Sequence, residues 1–247
     1  MTVPSTKGER IAKRMARAGL CSRREAEKWI AEGRVSIDGK VITSPAISVT
    51  DKMKIEVDGK PITQAEPLRI WLYYKPAGLL TTRHDPQGRP TLFDSLPTTL
   101  PRVITVGRLD LNSEGLILLT NDGDFSRHAE LPSTGWARSY RVRVHGVVDE
   151  RALKKLSAGI TIDDIKYGRI EAEIVSDLYK ASTNKWLFVT IYEGKNREIR
   201  KIMDHLGLKV NRLIRVAYGP FSLGDLKPGE VREVPSRDIP KIPSKQK

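Results

Sequence analysis

Asp110 stands two residues after Arg108, on a Gly107-Arg108-Leu109 turn that leads into the apolar run "GLILLT" at 115–120. Glycine lets the backbone turn tightly there, which puts the carboxylate on a loop ahead of a strand. A neighbouring cation favours the ionised form of such a group. An ionised carboxylate can serve as a covalent nucleophile toward an anomeric carbon or another electrophile. The same residues equally fit a loop aspartate that pairs with Arg108 or caps a turn, and their spacing leaves both readings open.

Other chemistries find little support. The four histidines, His84, His128, His145 and His205, are widely spaced and form no HxxxH or HExxH pattern, so no zinc site is expected. "EGKNREIR" contains a Gly-Lys pair but lacks the first glycine and the following Ser/Thr of a phosphate-cradling loop. GxSxG and GxGxxG are missing as well. The single cysteine, Cys21, excludes an internal disulfide framework and a cysteine-cluster metal site. With no metal and no nucleotide cofactor expected, one activated side chain must carry any reaction.

The elements that would position it follow from periodicity. Residues 1–8 read as a disordered lead. A helix is expected from Arg10, with Ile11, Met15 and Ala18 at helical spacing and Gly19 as its stop. Ser22 and Glu25 form a capping box for a second helix that carries Ala26, Trp29 and Ile30 on one face and ends at Gly33. Asp38-Gly39 and Asp58-Gly59 then mark two hairpin turns. After a polar connector, "TQAEP" at 63–67, strands are expected at 69–75, 116–120, 138–145, 169–176 and 185–193, with helices at 124–130, 149–158 and 196–206. The fold class is α+β: a small α-plus-hairpin domain over 8–62, then a domain over 68–235 on a mostly antiparallel mixed sheet with flanking helices. Residues 236–247 read as a basic, unstructured tail.

Charge supplies the first functional clue. The 247-residue chain carries a formal net charge of +13, which points to a polyanionic partner, most often nucleic acid. The excess is clustered: residues 7–34 hold nine Lys/Arg against four Asp/Glu, and 194–215 hold seven against two. No apolar run approaches the ~20 residues of a membrane span, and the N-terminus does not read as a secretory signal. A cytoplasmic protein that binds no membrane is expected.

"RIAKRMARAGLCSRREAEKWIAEGRVSIDGKVI" resembles an S4 RNA-binding domain, with "SRREAEKWIAEGRVSIDGK" the specific part. The resemblance implies a grip on structured RNA, for which Lys13, Arg14, Arg17, Arg23, Arg24 and Arg34 are the candidate contacts. It does not imply catalysis, since S4 modules also occur in ribosomal proteins.

"VGRLDLNSEGLILLTNDG" is similar to the signature of RNA pseudouridine synthases of the RsuA/RluB family. "YYKPAGLLTT" (73–82), "ARSYRVRVHG" (137–146) and "EGKNREIRKIMDHLGLKVNRLIRVAYGPFSL" (193–223) agree with further segments of that family in content and order. The resemblance implies that a flipped uridine is isomerised with no metal or organic cofactor. Asp110 would start cleavage of the glycosidic C–N bond, Tyr140 would stack on the base, and Arg200 would ion-pair with the aspartate. Arg108, Lys195, Asn196 and Arg197 would meet RNA, the last three at the start of the helix bearing Arg200. Arg138 stands where the family often has lysine, keeping the charge with a different shape. "NREIR" and "VNRLIRVAYG" lean toward the branch that modifies large-subunit rRNA. The expected partner is ribosomal RNA or a ribosome assembly intermediate, bound by a monomer. Two alternatives stay open: a non-catalytic S4-type RNA-binding protein of ribosome assembly, and a synthase acting on small-subunit rRNA or tRNA.

Overall fold

The computed structural model describes residues 8–175 and 184–241. Nearly all of the expected lead, the last residue of the strand expected over 169–176, and 242–247 of the expected tail lie outside them. The described chain forms two compact units. One runs to Leu68 and adds Thr99–Val103 and Asn121–Gly123; the other takes Arg69–Thr98, Ile104–Thr120 and the chain from Asp124.

The first unit contains β1 (Glu9–Arg10), α1 (Ile11–Arg17), α2 (Arg23–Ala31), β2 (Val35–Ile37), β3 (Lys40–Ile42), β4 (Ser48–Val49), β5 (Ile55–Val57) and β6 (Lys60–Pro61). Ser22 caps α2 reciprocally: its Oγ accepts from the Glu25 N–H at 3.1 Å, and its own N–H donates to Glu25 Oε2 at 2.6 Å. Asp38 and Gly39, at φ 49° and 80°, close the β2–β3 hairpin with both central residues left-handed. The four-stranded sheet runs β3-β2-β5-β6. Ile11, Met15, Ala26, Ile30, Val35 and Ile55 fill the core between helices and sheet.

The second unit continues with β7 (Ile70–Lys75), β8 (Ile104–Val106), β9 (Glu114–Thr120), α3 (Gly123–Glu130), β10 (Arg138–His145), α4 (Glu150–Lys155), β11 (Ile160–Ile162), β12 (Ile165–Tyr167), β13 (Ile170–Ile174), β14 (Asn184–Ile191), α5 (Glu198–His205), β15 (Lys209–Tyr218), β16 (Phe221–Ser222) and β17 (Val231–Glu233). Its sheet runs β13-β14-β10-β15-β9-β7-β17, with β8 also on β9 and β16 on β15. Among the described residues, every pairing in it is antiparallel except β15 with β9. Strands β7 and β9 are near-continuous apolar runs, so they sit centrally and are buried on both faces. In β10 buried and outward positions alternate, which turns Tyr140, Val142 and Val144 to the covered face.

Some elements depart from expectation. Strand β15 was not expected, because Asn211, Arg212 and Arg215 interrupt its apolar residues. Irregularities opposite Ser139/Tyr140 and Arg143/Val144 shift the register and break the period-two pattern. The helix expected over 149–158 closes as a 3₁₀ turn from Leu156. The tail expected to be unstructured opens with an ordered 3₁₀ turn, Ser236–Asp238, in which the Asp238 N–H donates to Pro235 O at 2.8 Å.

Candidate active site

Asp110 sits on the loop between β8 and β9, beside the parallel β9–β15 junction. Gly107, at φ 68°, makes the turn. Thr81 then grips the backbone twice: its hydroxyl donates to Leu109 O at 2.8 Å and accepts from the Leu109 N–H at 3.2 Å. The Gly78 N–H donates to Leu111 O at 2.8 Å. Below the loop lies Lys75, fully buried at the end of β7. Its ammonium donates to Ser113 O at 2.8 Å, Pro76 O at 3.0 Å and Asp110 O at 3.3 Å. Burial pulls the Lys75 pKa down to about 8, against the attraction of Asp110 and Glu114. The backbone of Asp110 is thus held from three directions, while its side chain remains one-third exposed.

The wall facing this loop comes from the sheet. Tyr140 on β10 is paired with Val189 on one side and Arg215 on the other, and is 7% exposed. Arg138 and Arg215 both lie over the Tyr218 ring, their guanidinium carbons 4.7 and 5.0 Å from its centre. The Tyr218 hydroxyl donates to Ala129 O at 2.9 Å.

A turn before α5 closes the third side. The helix expected from 196 starts at Glu198, because Arg197 takes a left-handed backbone at φ 52° and acts as N-cap. Lys195, Asn196 and Arg197 therefore precede the helix instead of opening it. The Lys195 N–H donates to Glu198 Oε2 at 2.9 Å, and the Lys195 ammonium pairs with Glu193. This geometry brings Arg197 Nη1 to 3.6 Å from Asp110 Oδ2. The ion pair expected between Arg200 and Asp110 is made by Arg197. Arg200, one turn further along, donates to Asn112 O at 2.9 Å and Val210 O at 3.4 Å. Its pKa is lowered by burial and by Arg197, with Asp110 acting in the opposite sense.

Asp110, Tyr140 and Arg200 line one cavity of about 880 Å³, and Arg108, Lys195, Asn196 and Arg197 line it too. In the first unit, three cations of the expected RNA face converge on acids. Lys13, Arg14 and Arg17 lie 4.0, 3.6 and 2.9 Å from Glu9, and Arg14 is 2.7 Å from Asp51. Arg34 pairs with Asp58 at 2.6 Å and lies over Trp29. Arg23 and Arg24 are exposed on α2. The face is partly neutralised from within the protein. Among the described residues, no group of three or more His, Cys, Asp or Glu could hold a metal ion, and no helix is long and apolar enough to cross a membrane.

Residues 69–205 match the RNA pseudouridylate synthase family, and residues 9–55 match the S4 domain. The chain belongs to the RNA pseudouridylate synthase family. The enzyme is thus an isomerase with an S4 domain. An uncharacterized RNA pseudouridine synthase of Rickettsia bellii (strain RML369-C) is 52% identical to it over 92% of this chain and 96% of the relative. The ribosomal large subunit pseudouridine synthase B of Pasteurella multocida (strain Pm70) is 46% identical over 89% of this chain and 65% of the relative. A crystal structure of a pseudouridylate synthase superimposes with a TM-score of 0.65 at 25% identity, covering 95% of this chain and 98% of its own.

Three residues in or beside this cavity were not among the candidates read from sequence: Lys75, Glu198 and Arg215. The available signal was a charged residue inside or at the end of an apolar strand, as in "IWLYYK" and "RLIRVAY". Such a residue is buried only at a cost and needs partners. Glu198 is 3% exposed and its Oε1 has no hydrogen-bond partner. Burial pushes its pKa up from the ordinary 4.5 to about 7; the Lys195 N–H opposes this, Glu193 adds to it, and the Lys195 and Arg138 charges oppose it. Between pH 4.5 and 7 the unfolded chain gives up this proton while the folded one keeps it. Stability therefore falls as pH rises through that window, and the full penalty is present above 7. Glu198→Gln removes the titration and keeps an oxygen for the Lys195 N–H. Urea unfolding of the variant should match the parent near pH 4.5 and exceed it by roughly 1–3 kcal/mol at pH 8. Equal differences at both pH values would mean that Glu198 is ionised in the folded protein throughout.

Proposed function

We propose that this synthase isomerises a uridine of ribosomal RNA, in the large subunit, with Asp110 initiating cleavage of the C–N bond. One observation carries the reading. A carboxylate on a backbone clamped by Lys75, Thr81 and Gly78 opens into the same cavity as the Tyr140 ring. That volume, about 880 Å³, is within the range of pockets that enclose a small ligand.

The target nucleotide leaves its stack at a cost of a few kcal/mol. Tyr140 receives the base on its ring face. Arg197 pairs with the Asp110 carboxylate, and Arg200 fixes the loop through Asn112 O. After cleavage the uracil turns within the cavity and rejoins the ribose through C5. The reaction runs in the cytoplasm and draws on no metal or organic cofactor. Arg108, Lys195 and Asn196, at the cavity wall, meet the RNA backbone. The S4 domain holds structured RNA through Arg23 and Arg24, and through Lys13, Arg14, Arg17 and Arg34 when phosphates compete with Glu9, Asp51 and Asp58. The ribosomal substrate is supported by the S4 match and by the likeness to a ribosomal large subunit pseudouridine synthase. The enzyme acts as a monomer on rRNA or an assembly intermediate.

Pseudouridine mapping of total RNA from a strain lacking the gene, against its parent, tests this. The expected result is loss of pseudouridine at a large-subunit rRNA position. Loss confined to tRNA or small-subunit rRNA, or no loss at all, would overturn the substrate assignment.

A further inference from the structure

Arg215 lies within β15, directly opposite Tyr140 on β10 and Gly115 on β9. Residues paired across strands present their side chains on the same face, and both Arg215 and Tyr140 line the cavity. Arg215 is 3% exposed. Its Nε donates to Leu116 O at 2.7 Å and its guanidinium lies over Tyr218, but its Nη2 is buried without any hydrogen-bond partner. Among the described residues no carboxylate pairs with it.

Arg138, which also lies over the Tyr218 ring, is built differently. Its Nη1 donates to Trp136 O at 3.3 Å and Tyr192 O at 3.4 Å; its Nη2 donates to Tyr218 Oη at 3.1 Å and Glu130 O at 3.4 Å. That arginine is consumed by the fold. Arg215 keeps one donor over, and a buried cation lacking a counter-charge costs several kcal/mol. A donor retained at such a cost, in the wall of a reaction cavity, suits a partner that becomes negative only during the reaction.

Uracil is that partner. When the C1′–N1 bond breaks, its electron pair stays on N1 and spreads over O2 and O4. When the ring has turned, C5 shares a pair with C1′, the C5 proton leaves, and N1 takes up a proton. We propose that Arg215 stabilises the uracil anion between these two steps, with Nη2 donating to a carbonyl oxygen of the base. This rests on the proposed sequence of cleavage before rotation.

The test compares single-turnover cleavage of in-vitro-transcribed large-subunit rRNA made with uridine or with 5-fluorouridine. Fluorine at C5 stabilises the departing anion through the ring, so its cleavage depends less on a protein donor. Arg215→Gln should slow the uridine transcript about 10²-fold and the fluorinated one less than about tenfold, with RNA affinity in a filter assay unchanged within about threefold. Arg215→Lys, which keeps the charge, should show the same ordering with smaller losses, and it serves if the glutamine variant does not fold. Equal slowing on both transcripts, or none, overturns the inference alone. A parent enzyme inactive on the uridine transcript overturns the ribosomal reading and this inference with it.

Discussion

Asp110→Asn is expected to abolish pseudouridine formation and lower the single-turnover rate by at least about 10⁴-fold, the loss that follows when a group that initiates a reaction is removed without replacement. Asparagine preserves the size of the side chain and the loop that carries it. The grips on that loop act through backbone atoms at Leu109, Asp110, Leu111 and Ser113, and all of them survive the change. What disappears is the negative charge and the nucleophilic oxygen. The pair with Arg197 is lost as well, but it is 3.6 Å long and both side chains are substantially exposed. Exposed pairs contribute about 0–1 kcal/mol, so the urea midpoint should hardly move. RNA affinity should persist, since the proposed phosphate contacts lie elsewhere. Tritium release from C5-labelled rRNA reads the rate directly. Full turnover by this variant would assign C–N cleavage to another group, and parallel loss of folding would make Asp110 structural.

The parts of this site that could be read from residues were the local ones. Asp38-Gly39, the Ser22–Glu25 capping box, and the apolar runs of β7 and β9 each depend on neighbours within a few positions, so their elements were legible. Asp110, Tyr140 and Arg200 could be assembled into a set only through resemblance. Their common cavity depends on the order β10-β15-β9, which joins segments about a hundred residues apart. The pairing of Asp110 was misread for a backbone reason. A left-handed Arg197 is uncommon for a residue with a side chain, and nothing in "KNREIR" announces it. It delays α5 by two residues and substitutes Arg197 for Arg200 beside the carboxylate. Lys75, Glu198 and Arg215 were missed because their significance comes from burial. A charge in a strand-like sequence reads as an outward position until the sheet order shows it inside.

Gly115→Ala should be the most damaging substitution of a single small residue in the catalytic unit. Gly115 has φ 101°, a region in which a side chain is strained by of order 1–3 kcal/mol. Space is the harder limit. A Cβ at this position would lie 2.3 Å from Arg215 O, 2.8 Å from Arg215 N and 3.0 Å from Arg215 C. These are backbone atoms of the neighbouring strand, so no rotamer change can relieve the contact. The two strands would have to separate at the parallel β9–β15 junction, and overpacking adds about 1–3 kcal/mol. A total loss of roughly 2–6 kcal/mol is expected, a large part of the 5–15 kcal/mol that holds a typical domain. Gly78→Ala supplies the control, because Gly78 is also left-handed, at φ 90°, but nothing stands within 4 Å of its added Cβ. Urea midpoints should then order parent, Gly78→Ala, Gly115→Ala, with a wide gap before the last. Similar midpoints for the two variants would mean that strain alone is felt and that β9 and β15 can part without cost. The junction also sets the distance between the Asp110 loop and Arg215. Turnover in Gly115→Ala should therefore fall further than its folded fraction, at temperatures where some native protein remains.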